Sequence, residues 1–317
     1  MAGQGLSQRV RGAMARPLPA RLRTAVKGCM AVFPHAASLR IGAQLCLRPG
    51  LKVLCYPGQP SSRQMVLKLC AWNGYAVTSD PAAPYDLAFH FCRGGRCVLP
   101  IDKRVLNRNC EDISKARVAT VFGQVFGYEL QVNPLRYEGL IVAKSNANAT
   151  HDGIILHGPL HPGLLDPGRV YQRLVRAEEG GEAIDLRTPI YAGRVPLVYE
   201  KRRPLAMRFS HRNTRVRVQE PEAVFSPHEL RLLADFAAAM GLDFGELDVL
   251  RDRIDGRIYV VDVANTPGGP PFDTPKPVRA LAFQRLGTAF RALIEETGGA
   301  LGGARLPASP GHPVRGG

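Results

Sequence analysis

The stretches GLDFGELDVLR (residues 241–251) and RIYVVDVANTPGG (257–269) are separated only by DRIDG (252–256). Each is rich in β-branched and other apolar residues, and Asp255-Gly256 suits the tight turn of a hairpin around 253–256. Antiparallel pairing can set Asp248 and Asp262 on one face of adjacent strands. Two carboxylates so placed leave oxygen ligands for a hard divalent cation such as Mg2+. The competing reading is that each is an ordinary strand-end carboxylate. The polar turn Asn265-Thr266-Pro267-Gly268 follows at once and offers further oxygen ligands, which favours the first reading.

Working outward, Ser226-Pro227-His228-Glu229 is a capping box with proline in the first helical turn, and it opens an apolar helix through Met240. An amphipathic helix is expected at about 277–296, and a Gly/Pro-rich tail, expected to be disordered, at 298–317. Upstream, AIDLRTPIYAG (183–193) and VPLVYEKR (195–202) are strand candidates, as is the stretch from Tyr171 to Val175. GLIVAK (139–144) and GIIL (153–156) flank the polar turn SNANATHDG, a strand-turn-strand unit. A helix is expected from Ser114 to about Phe126, with Val118, Val121, Phe122 and Val125 on one face and Gly127 as its stop. At 51–102, LKVLCY, the helical MVLKLCAWNGY, AVTSD and DLAFHF form a small α/β unit, with Trp72 expected in packing. The fold class is therefore α/β, with an α+β character in the larger part.

Two further groups of residues carry candidate chemistry. Lys144 ends the apolar strand IVAK beside a turn of small and amide residues containing His151 and Asp152. An ammonium beside backbone N–H groups is a suitable phosphate ligand, although an exposed strand-end lysine has the same local pattern. There is no Walker A pattern. The second group is DLR (185–187) together with KRRPLAMRFSHRNTRVRV (201–218), where Lys201, Arg202, Arg203, Arg208, Arg212, Arg215 and Arg217 are interleaved with Asn213. Such guanidinium density suits a triphosphate or carboxylate substrate; a solvated basic strand or an RNA-binding face is the alternative.

Composition narrows the classes. With 317 residues and 45% hydrophobic content the chain can bury a substantial core. No apolar run approaches the roughly 18 residues of a membrane span, and no secretory core opens the chain, so a cytoplasmic protein is expected. The net charge is +15, and no Asp or Glu precedes Asp80, which marks 1–50 as a basic N-terminal extension. Seven cysteines, an odd number at irregular spacing, argue against a disulfide framework. Cys92 and Cys97 flank Arg-Gly-Gly-Arg without a second pair at zinc-ligand spacing, so free thiols are expected.

Taken in this order, the pieces resemble the ATP-grasp superfamily, whose ligases make acyl-phosphates and condense them with amines. The closest pattern is the branch containing the glutamate ligase that modifies a ribosomal protein, with D-alanine:D-alanine ligase more distant. The hairpin at 241–269 looks like that branch's metal-binding hairpin, and DLR followed by FSHRN looks like its Asp-hydrophobic-Arg strand and its Arg/Asn-bearing strand. The resemblance covers about residues 103–296. It implies an ATP-grasp domain of two α+β subdomains at 103–297, preceded by the unit at 51–102. It implies ATP and Mg2+ as cofactors, with Asp248 and Asp262 on the metal and Asp262 standing where the family usually has Glu. Lys144 matches the lysine on the lid strand that contacts ATP phosphates, and Lys115 in DISK the earlier ATP-contacting lysine. Gln172 and Val175 bound the segment lining the adenine pocket. Arg187 and Arg208 or Arg212 match the contacts to the γ-phosphate or acyl-phosphate.

Two departures stand out. The family's Glu-x-Asn at the end of the hairpin would place Asn at Ala264, whereas Asn265 comes one residue later; it joins the metal set only if a bulge swings it in. The glycine-rich lid is replaced by 145–153, with His151 and Asp152 in place of small residues.

The implied function is a Mg2+-ATP-dependent carboxylate-amine ligase acting on a carboxylate substrate and an amine acceptor, with the basic extension available to recruit an acidic carrier or polymer. One alternative is an ATP-grasp kinase that stops at phosphoryl transfer. The other is a non-enzymatic nucleic-acid or anionic-surface binder using the extension.

Overall fold

In the computed structural model, residues 51–299 are described except 100–103, 149, 151, 211 and 272. The basic extension, His151 and the tail from 300 onward lie outside the described residues.

The described residues begin with a parallel sheet. Strand β1 (Lys52–Pro57) leads through helix α1 (Met65–Asn73) to β2 (Ala76–Thr78), then β3 (Leu87–Phe91) and β4 (Val105–Leu106), in the order β2-β1-β3-β4. β3 is buried along its whole length, as expected for a strand covered on both faces. Gly74 ends α1 in the left-handed region at φ 75°, where a side chain would be strained.

Helix α2 (Lys115–Phe126) starts where Ser114 accepts a hydrogen bond from the Arg117 N–H and stops at Gly127. Next comes a three-stranded antiparallel sheet of β5 (Gly139–Ser145), β6 (Ile154–Gly158) and β7 (Arg169–Arg173), in the order β6-β5-β7. The largest sheet then forms from β8 (Glu178–Glu179), β9 (Glu182–Tyr191), β10 (Val198–Pro204) and β11 (Arg215–Gln219). After helices α3 (Pro221–Val224) and α4 (Pro227–Ala239) it is completed by β12 (Phe244–Arg251) and β13 (Ile258–Ala264). Its order is β11-β10-β9-β12-β13, with β8 paired to β9. Helix α5 (Lys276–Gly299) ends the described chain.

Alternation along the strands divides the burial. One face of the large sheet sends Leu186, Leu247, Val249 and Val263 against Phe122 of α2 and Leu233 and Phe236 of α4. At the other end, Tyr191, Tyr199 and Phe244 pack with Phe283, Leu286 and Phe290 of α5, which in turn covers Val53 and Phe89 of the parallel sheet. Gly287 lets α5 approach α1, since a Cβ there would lie 2.3 Å from Trp72 Cδ1. Trp72 is thus a packing residue, as expected.

The mixed α/β class, the hairpin, the capping box and the strand-turn-strand unit are present as expected. Two local expectations are corrected. The basic run at 201–218 is two antiparallel strands rather than one, because Pro204 has no N–H with which to continue the ladder and a single 3-10 turn (Leu205–Met207) follows. Phe209, Ser210, Arg212 and Asn213 of FSHRN therefore lie in a connection and not on a strand. The tail does not begin at Gly298, because α5 continues through Gly299.

Candidate functional site

The small sheet and the large sheet face each other across a cavity of about 400 Å³. On β5, Ile141 and Ala143 turn into a local core, so the period of two puts Val142 and Lys144 on the cavity wall. From β7 and the residues after it come Gln172, Leu174 and Val175. The opposite wall uses the same period: Asp185 and Arg187 on β9, Lys201 and Arg203 on β10, Asp248 and Leu250 on β12. Register aligns the charges, with Asp248 opposite both Arg187 and Asp262, and Lys201 opposite Asp185.

A bulge sharpens this arrangement. Asp248 pairs with Asp262 but Val249 pairs with Val260, so Val261 is the extra residue on β13. Both Val261 and Asp262 consequently line the cavity. The Val261 carbonyl accepts a 3.2 Å hydrogen bond from Lys144 Nζ across the gap between the sheets.

Asp248 is the centre of the charge network. Arg187 donates to it through Nε at 3.1 Å and Nη2 at 3.2 Å, and Lys201 Nζ donates at 3.2 Å. Each cation has a second carboxylate: Glu246 lies 3.7 Å from Arg187 Nε, and Asp185 lies 3.5 Å from Lys201 Nζ. Arg203 also pairs with Asp185 and donates to the Arg208 carbonyl at 2.7 Å. Burial would raise the Asp248 carboxyl, but Arg187 and Lys201 outweigh it and hold it far below the ordinary range. Asp262 behaves oppositely: burial and the neighbouring Asp248 push it up, against Lys115 and Lys144. Burial lowers Lys144 to about 8 despite the attraction of Asp262, and lowers Lys115 as well.

The turn at 145–153 is tied down on both sides. Lys115 Nζ donates to the Ala147 carbonyl, and Asn148 Nδ2 donates to the carbonyls of Ile113 and Val263 at 3.0 and 3.1 Å. Asp152 accepts from the Ser145 N–H at 3.1 Å and from Thr150 Oγ1 at 2.9 Å. Gly153 sits under Phe209, where a Cβ would come within 2.8 Å of the ring, so this close approach needs glycine.

Eight of the residues to which the family resemblance gives a site role share this cavity: Lys115, Lys144, Gln172, Val175, Arg187, Arg208, Asp248 and Asp262. The structure does not bring Arg212 or Asn265 to it. Arg212 is exposed in the connection between β10 and β11. Asn265 is fully buried and its Nδ2 donates to the Cys92 carbonyl at 2.7 Å. The reason is parity: the bulge precedes Asp262, so Ala264 shares its face and Asn265 turns to the other. The expected metal role of Asn265 and phosphate role of Arg212 are corrected accordingly.

Glu246 and Phe209 were given no role from the sequence, and Asp185, Lys201 and Arg203 were named there only within the DLR and 201–218 stretches, without individual roles. A signal for four of them was present in charged residues two apart, at 185/187, 201/203 and 246/248, clear in the mostly apolar β9 and β12 but masked in β10, where Glu200 to Arg203 are all charged. Among the described residues no group of three or more His, Cys, Asp or Glu side chains is placed to hold a metal ion. No helix of the described residues is long and apolar enough to cross a membrane.

No protein-family model and no curated protein matches the chain. Solved structures to which it is similar are ATP-grasp ligases. The D-alanine–D-alanine ligase from Bacillus anthracis is 13% identical, with 78% of this chain and 97% of that chain covered and a TM-score of 0.49. The macrocyclase MdnC, bound with precursor peptide MdnA from Microcystis aeruginosa MRC, is 13% identical over 75% and 97%, with a TM-score of 0.42. The ATP-grasp ligase PsnB complexed with minimal precursor is 14% identical over 58% of this chain, with a TM-score of 0.39. The match spans 65% of the length of PsnB.

Proposed function

We propose that the chain is a Mg2+-ATP-dependent carboxylate-amine ligase of the ATP-grasp type. The observation that carries this reading is the convergence, in one cavity between two sheets, of Lys115, Lys144, Arg187, Lys201, Arg203 and Arg208 over the paired carboxylates Asp248 and Asp262. The narrower resemblance to the ribosomal-protein glutamate ligase branch rests on sequence motifs alone, the hairpin and DLR followed by FSHRN.

The residues present fit ATP. Val142, Leu174, Val175 and Leu250 supply an apolar wall for a base, and the cations supply countercharge for a triphosphate. Gln172 is buried on that wall with Nε2 lacking a hydrogen-bond partner, a donor directed at a ligand. They also fit Mg2+ delivered with a nucleotide. That ion takes one or two carboxylates plus phosphate oxygens rather than an all-protein cage, and Asp248 and Asp262 are two.

In this reading Lys115 and Lys144 hold phosphate oxygens, while Arg187, Lys201 and Arg203 are preorganised to stabilise charge developing on the transferred phosphoryl group. Asp248 and Asp262 hold Mg2+, which supplies charge neutralisation and orientation when bound. The phosphoryl group passes to a substrate carboxylate, and an amine then displaces phosphate to give an amide. No protein nucleophile is required. The thiols of Cys55 and Cys110 are pushed up to about 12 by burial, which suits packing and not attack.

The test is product analysis with Mg2+-ATP and a panel of carboxylate and amine pairs. An amide formed together with free phosphate supports ligation. A stable phosphorylated product moves the chain to the kinase alternative, and absence of any nucleotide binding overturns the reading.

A further inference from the structure

The charge network around Asp248 has a property that neither a static ion pair nor a simple metal site requires. The two cations that neutralise Asp248 each touch one other carboxylate that does not line up with the metal pair. Arg187 Nε is 3.1 Å from Asp248 Oδ1 and 3.7 Å from Glu246 Oε2. Lys201 Nζ is 3.2 Å from Asp248 Oδ1 and 3.5 Å from Asp185 Oδ2. Glu246 is 4% exposed and stands two residues before Asp248 on the same face of β12. Asp185 stands two residues before Arg187 on β9 and opposite Lys201 on β10. The two further carboxylates thus lie on separate strands, Glu246 beside Arg187 and Asp185 beside Lys201, with Asp185 also paired to Arg203.

We propose that Glu246 and Asp185 are positioning residues that retain Arg187 and Lys201 when Asp248 is given over to magnesium. The physical need is plain. A carboxylate held by a guanidinium fork and an ammonium is a poor ligand until those cations are satisfied elsewhere, because leaving a buried cation unpaired is costly. With Glu246 and Asp185 in place, each cation keeps a partner at its present position, and Asp248 is released without stranding either. Glu246 and Asp185 act through Arg187 and Lys201, so neither is a metal ligand. This inference rests on the Mg2+-nucleotide reading of the cavity.

The experiment follows the magnesium titration itself. Nucleotide-dependent rise in melting temperature is recorded against Mg2+ concentration for the wild-type chain, Glu246→Gln, Asp185→Asn, Arg187→Gln and Glu246→Gln combined with Arg187→Gln. The magnesium midpoint of Glu246→Gln should move up about tenfold, the size associated with one close, poorly solvated charge pair. The nucleotide-dependent rise in EDTA should stay as in wild type. In the Arg187→Gln background, Glu246→Gln should add no further shift of the midpoint, because the cation it retains is gone. A merely structural Glu246 would lower the ligand-free melting temperature and leave the midpoint in place, and that result overturns the proposal. Asp185→Asn provides the same test through Lys201 if Glu246→Gln does not fold. A wild-type chain with no magnesium-dependent rise overturns the nucleotide reading and this inference with it, whereas a wild-type rise with unmoved midpoints in both variants overturns only this inference.

Discussion

Asp248 and Asp262 face each other across the hairpin, yet the structure assigns them different costs of removal. Asp248 receives three charged hydrogen bonds, at 3.1, 3.2 and 3.2 Å, and its side chain is 24% exposed. Asp248→Asn removes the charge that Arg187 and Lys201 share. Breaking a buried pair from one side costs about 3–5 kcal/mol, and partial exposure places this case near about 3 kcal/mol. At roughly 2–4 °C per kcal/mol for a chain of this size, melting should fall by about 6–12 °C. Asp262 has no ion pair within 4.0 Å among the described residues, and its carboxylate accepts only the Val263 N–H, at 3.0 Å. Its neighbour Asp248 repels it. Asp262→Asn relieves that repulsion, so melting should change by less than about 3 °C, upward if at all. The ligand response should invert this ranking in its usefulness. A nucleotide at about one hundred times its Kd adds about 2.7 kcal/mol of apparent stability, and the magnesium-dependent part should vanish in Asp262→Asn while the fold is intact. Differential scanning fluorimetry with Mg2+-ATP, with ATP in EDTA and without ligand measures all three quantities. Full magnesium-dependent stabilisation in Asp262→Asn, or wild-type melting in Asp248→Asn, refutes the reasoning.

Lys144→Ala should weaken nucleotide binding about tenfold or more, the loss of one buried phosphate-directed cation, with an unchanged far-ultraviolet spectrum; isothermal titration checks it. Gly287→Ala trades a helix-propensity gain of about 1 kcal/mol against an overpacking cost of about 1–3 kcal/mol on Trp72, so the chain should lose stability and the emission of its single tryptophan should shift. A more stable protein with unchanged emission would contradict that contact. Glu229 is affected first by burial, which raises its carboxyl, but the bidentate Arg251 at 2.7 and 3.0 Å and the Ser226 N–H bring it below its ordinary value of 4.5. Its stabilisation is complete above pH 4.5 and lost as pH falls through the depressed folded value, so Glu229→Gln should cost about 1–2 kcal/mol near neutrality and flatten the acid limb of the stability curve, as urea melts at several pH values would show.

The local elements were legible in the order of residues, because their causes are local. The Ser226–Glu229 capping box, the Gly127 helix stop, the Asp255-Gly256 turn and the alternating hairpin strands each follow from backbone conformation and short-range hydrogen bonding. Lys144, Asp248 and Asp262 were legible for the same reason, since strand parity around an apolar run points each side chain toward one face. Which charges meet, by contrast, is settled by folding. Asp185 and Lys201 are 16 residues apart and Glu246 a further 45, and their contacts depend on the register of β9 with β10 and β12. The bulge at Val261 is likewise a property of a paired ladder, visible only when Asp248 is set against Asp262 and Val249 against Val260. Its position before Asp262, not after it, is what turns Asn265 toward Cys92 and away from the cavity. Parity along one strand is written in the chain, but pairing between strands is settled by the packing that buries the opposite face, and that is a cooperative property of the whole fold.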